Sequence, residues 1–115
     1  MNRRETVEAL VEWRGDLSAL TARLSEFPFD SETPLVTLQI SNIVEALERF
    51  LAGGVSANDV EHWADAVEGR DDIGYAAGHE DEISQVLFVL STPDANGSLT
   101  QDSAKKLLGG FGHAL

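Results

Sequence analysis

An all-α fold, a compact bundle of four to five helices, is predicted by three observations. Apolar residues recur at alternating spacings of three and four, helix-start and helix-stop residues punctuate those runs, and no convincing strand is legible. The 115 residues suffice for one domain, and 43% apolar content is ordinary for a globular chain and too high for a disordered acidic tail.

The first helix is predicted over residues 4–24, where Leu10, Trp13, Leu17, Leu20 and Leu24 share a face. Gly15 interrupts it at a cost of about 1 kcal/mol relative to Ala. Phe27-Pro28-Phe29 reads as an apolar connection plugging one end of the core. Thr33 and Pro34 read as the cap and first position of a second helix, running to about Ala52 and burying Val36, Ile40, Ile43, Val44, Leu47 and Leu51. Gly53-Gly54 ends it.

Ser56 caps the third helix, Asp59 takes the reciprocal position of a capping box, and Val55 staples onto Val60. This helix buries Ala57, Val60, Trp63, Ala64 and Val67 and ends near Gly69. Residues 71–78 read as a loop anchored by Ile73 and Tyr75, with Gly74 and Gly78 as breakers. The 83-86-87-90 spacing of Ile83, Val86, Leu87 and Leu90 predicts a fourth helix, stopped by Thr92-Pro93. Asp94-Ala95-Asn96-Gly97 is a turn, Thr100 caps a short last helix through Leu108, and residues 109–115 form a loose tail.

Charge is the chain's most uneven property. Of 20 acids and 8 bases, residues 59–82 hold nine acids against one base, Arg70, which makes the window −8 of a total −12. Such a field repels nucleic acid and anionic membranes and steers basic partners. The apolar run 86–90 is too short to span a bilayer, and the acids Glu5, Glu8 and Glu12 after Arg3-Arg4 exclude a signal peptide, so a cytoplasmic protein is expected. Without Cys there is no disulfide, thiolate metal site or thiol nucleophile.

On the third helix Glu61, Asp65 and Glu68 fall within roughly 60° of one another, and Asp72 would join them if the helix continued. No Lys or Arg stands three or four residues away to relieve them. Two readings compete: a solvated face that confers solubility, and a docking surface extended by Asp71, Asp72, Glu80, Asp81 and Glu82. His79 beside those last three acids is ordinary helix-start composition, so no metal is expected. His62 reads as a surface residue, with no Ser or Thr placed to work with it, and His113 lies in the tail. Aligned as a calcium loop, residues 92–103 put Thr92 and Ser103 at two essential ligand positions. The glycines 109, 110 and 112 follow a helix and do not open one, so they are no phosphate cradle. Trp13 and Trp63 read as packing residues.

Residues 50–60, Phe50-Leu51-Ala52-Gly53-Gly54-Val55-Ser56-Ala57-Asn58-Asp59-Val60, resemble a segment of small helical bacterial immunity proteins of the colicin D type. There, a helix ending in a glycine turn precedes a Ser-Ala-capped acidic helix. The resemblance covers about residues 47–63 and implies a four-helix protein that neutralises a toxin, often a nuclease, by placing acids in a basic active site. The expectation is therefore a non-enzymatic inhibitor of a basic partner with no cofactor. The alternative is an accessory or scaffold protein whose acidity serves solubility.

Overall fold

Asn2, Asp16, Ser56 and Thr100 each accept, through the side chain, the backbone N–H three residues on, and each opens a helix. The computed structural model describes residues 2–27 and 32–111. Their order is α1 Arg3–Val11, α2 Leu17–Leu24, β1 Val36–Leu38, α3 Ile40–Leu51, α4 Ala57–Glu68, β2 Ile73–Tyr75, α5 Glu80–Ser91, α6 Pro93–Asn96 and α7 Gln101–Gly110. The result is a mostly helical globule carrying one small parallel sheet. Its radius of gyration of 13.5 Å is close to the ~13 Å expected of a compact chain this long.

The predicted first helix is two. Trp13 leaves the helical path at φ 49°, Gly15 follows at φ 84°, and Asp16 caps a new start. A left-handed tryptophan costs about 1–2 kcal/mol, and two contacts hold it there. Its indole stacks on Trp63 with centroids 5.7 Å apart, and its carbonyl accepts from Arg49 Nη1 at 2.7 Å. The apolar spacing runs unbroken across the junction because α1 and α2 line the same core: Leu10, Trp13, Leu20 and Leu24 are all buried.

The predicted second helix starts six residues late. Thr33 and Pro34 lead into β1, which pairs parallel with β2 in the register Val36↔Ile73, Thr37↔Gly74, Leu38↔Tyr75. Proline suits the approach to a strand as well as the first turn of a helix. The loop expected at 71–78 therefore contains β2, and its predicted anchors Ile73 and Tyr75 are the strand's ends. A Cβ on Gly74 would stand 3.1 Å from the ring of Pro34, so the two segments meet where only glycine fits easily.

α4 and α5 occupy their predicted spans, and α4 makes its most extensive packing against α5. Val60, Trp63, Val67, Ile83 and Leu87 are fully buried. Thr92 ends α5 as expected, but Pro93 opens the single turn of α6. α7 runs two residues past Leu108, and Phe111 rests half-buried against the core, so the loose tail does not begin at residue 109. Pro28, Phe29 and His113 lie outside the described residues.

Candidate functional site: the acidic ridge of α4

The capping box fixes where α4 begins and so which face it shows. Ser56 Oγ accepts from Asp59 N at 3.1 Å, and Asp59 Oδ2 accepts from Ser56 N at 2.9 Å. The inward face is then locked by Trp63, whose Nε1 donates to Leu10 O at 2.7 Å beneath the stacked Trp13. With that face fixed, Glu61, Asp65 and Glu68 are carried along the outer ridge, Asp65 exposed and the two glutamates half-buried.

The ridge is flanked by two different neighbours. Asp65 faces α2 and borders two hollows of about 230 and 250 Å³, one shared with Leu17, Ser18, Thr21 and His62, the other with Thr21, Leu24 and Arg70. Glu61 borders a hollow of about 220 Å³ with Leu90, Pro93 and Leu99. Glu68 accepts a hydrogen bond from Ser91 Oγ at 3.2 Å. Burial pushes the Tyr75 phenol up from its ordinary value, and the Glu68 charge pushes it further. None of the three ridge acids lies within ion-pair distance of a Lys, Arg or His among the described residues.

Asp72 is not part of this surface. It is fully buried, and α4 ends at Glu68, four residues before it. Its carboxylate accepts from Arg70 Nε at 2.9 Å on one oxygen, and from Arg70 Nη2 at 2.9 Å and Arg3 Nε at 3.1 Å on the other. Burial pushes the Asp72 carboxyl up, but the hydrogen bonds and charges of Arg70 and Arg3 outweigh it and hold the carboxyl below its ordinary value. Its carbonyl accepts from Leu35 N and Val36 N, at 2.8 and 3.2 Å. One residue thus joins the start of α1, the end of α4 and both strands. The one base in the acidic window was the available signal, since Arg70 stands two residues from Asp72.

The remaining predicted acids are Asp71 and the cluster at the start of α5. Asp71 is exposed next to the buried Asp72. At the start of α5, Glu80 Oε1 accepts from Gly78 N at 2.8 Å, and Glu82 Oε2 lies 3.2 Å from His79 Nδ1, while Asp81 points to solvent. Glu68 meets α5 at its last residue, about 16 Å along the axis from this cluster at 1.5 Å per residue. The ridge and the Glu80–Glu82 cluster are therefore two patches and not one continuous face.

The chemistry open to these residues is limited. Ser18, His62 and Asp65 border one hollow, and no hydrogen bond links them among the described residues. No group of three or more His, Asp or Glu is placed to hold a metal ion among the described residues, and no described helix is long and apolar enough to cross a membrane. What the ridge offers is unpaired negative charge on a rigid helix. Comparison with known protein families, with curated proteins and with solved structures finds no match for this chain.

Proposed function

We propose that this chain is a non-enzymatic acidic binding protein of the immunity or antitoxin kind, acting in the cytoplasm against a basic partner such as a nuclease toxin. The observation that carries the reading is the isolation of the ridge carboxylates. Among the described residues four other acids lie within ion-pair distance of an arginine: Asp72 with Arg70 and Arg3, Glu8 and Glu12 with Arg14, and Glu45 with Arg49. Glu61, Asp65 and Glu68 have no such cation among the described residues, although like charges spaced along a helix cost about 0.2–0.5 kcal/mol per pair.

In this reading the partner supplies the missing cations. Glu61, Asp65 and Glu68 take the positions of substrate phosphates in a basic cleft, and exposed Asp71 extends the patch. Asp81, with Glu80 and Glu82, contributes to the long-range field from the far end of α5. Carboxylates desolvated against Arg or Lys fix the register of a complex and accelerate its encounter. The class of partner comes from the likeness of residues 50–60 to immunity proteins.

The test compares wild type with the triple variant Glu61→Gln, Asp65→Gln, Glu68→Gln as baits in native extract, followed by kinetics on the partner so identified. The reading predicts one basic protein held by wild type and released by the variant, whose nuclease activity wild type inhibits. Equal capture by both baits would assign the ridge to solubility alone.

A further inference from the structure

Lys106 is one of two lysines in a chain with 20 acids, yet among the described residues no carboxylate lies within ion-pair distance of it. It stands at the edge of a cavity of about 270 Å³ between the end of α5 and α7, walled by Val89, Leu90, Leu99 and Leu107 with Ser98 beside them. The hollow opens to solvent where Gly97, Ser98 and Lys106 are exposed, and its deeper wall is apolar.

The backbone that shapes it is specialised. Gly97 ends α6 at φ 85°, ψ 149°, a region open essentially only to glycine. No atom lies within 4 Å of where a Cβ would stand, so the path of the chain demands glycine there, not crowding. That path brings Ser98 and Leu99 into the wall of the hollow.

We propose that this cavity binds a small amphiphilic anion, an unbranched carboxylic acid of medium chain length. Its alkyl chain lies against Val89, Leu90, Leu99 and Leu107, and its carboxylate takes the ammonium of Lys106 and the hydroxyl of Ser98. The apolar wall alone would accept any alkyl chain; the unpaired lysine at its edge selects the acid. The site adjoins the α4 ridge, because Leu90, Ser98 and Leu99 also border the Glu61 hollow, but its cation, Lys106, belongs to α7.

The experiment titrates the intact protein at low salt with octanoate and, separately, with 1-octanol, following backbone amide resonances. Octanoate is expected to shift Gly97, Ser98, Leu99 and Leu107 saturably. Lys106→Gln, a change at an exposed side chain, should weaken octanoate about two- to fivefold, the range of an exposed ion pair, and leave 1-octanol unchanged. Val89→Trp should abolish both; should it fail to fold, the Lys106→Gln comparison decides by itself. Absence of saturable shifts at these amides, shifts centred on exposed Phe88, or equal weakening of both probes by Lys106→Gln would overturn the proposal.

Discussion

The α4 ridge and the α4–β2 junction are built from the same residue type within one short stretch, and the fold treats them in opposite ways. At the junction, Asp72 is withdrawn from water and held by two arginines, with its carbonyl joining the sheet. On the ridge, Glu61, Asp65 and Glu68 face solvent or half-buried hollows and meet no cation among the described residues. Removing a buried carboxylate strands its partners' charges, whereas removing an exposed one relieves repulsion. Charge density in the sequence therefore measures how much negative charge there is. The position of Arg70 and Arg3 makes Asp72 structural.

The largest expected effect is at the junction. Asp72→Ala removes the buried carboxylate that accepts from Arg70 and Arg3 and should destabilise the protein by about 3–5 kcal/mol in denaturant unfolding. The same carboxyl sets an acid limit. Its pKa in the folded protein lies below the ordinary 3.8, so its contribution is fully present above that value and lost as pH falls through the folded pKa. Wild type should lose stability progressively below about pH 4, and Asp72→Ala should lack that part of the decline. An unfolding midpoint for Asp72→Ala close to wild type would erase the contrast between the two regions.

Next in size is the seam behind Asp72. Gly74→Ala places a methyl 3.1 Å from the Pro34 ring, which is tied to its own backbone and yields little. Overpacking of this kind costs about 1–3 kcal/mol. A variant as stable as wild type would show that the β1–β2 contact is loose. Smaller again is the start of the ridge helix: Ser56→Ala removes the acceptor for Asp59 N and should cost about 1 kcal/mol by thermal or chemical unfolding. No change there would mean that packing of Trp63 alone fixes the helix.

These cases also show what could be read from the residues. α4 was legible because caps and 3–4 spacing coincide in it, as at Ser56, Asp59 and Val60, and α5 because its 3–4 spacing runs up to the Thr92-Pro93 stop. The break at Trp13 was hidden because both helices it separates feed one core, so the spacing carries across it. β1 and β2 were hidden because three residues are too few to display an alternation, and Pro34 signals a helix start as readily as a strand approach. The ridge acids were legible from helical spacing alone. Asp72 was not, because its second arginine, Arg3, comes from 69 residues away and only the folded chain brings them together.

The central claim is that the ridge charge serves recognition and not the fold. It is tested most directly by the triple variant Glu61→Gln, Asp65→Gln, Glu68→Gln, measured for unfolding midpoint and for the association rate with the captured basic partner across a salt series. The account predicts a variant at least as stable as wild type, because like-charge repulsion is gone. It also predicts that wild-type association slows steeply as salt rises and that the variant associates slowly at every salt concentration, since steering is screened over about 8 Å at physiological ionic strength. A variant that associates as fast as wild type, or that unfolds more easily, would contradict it.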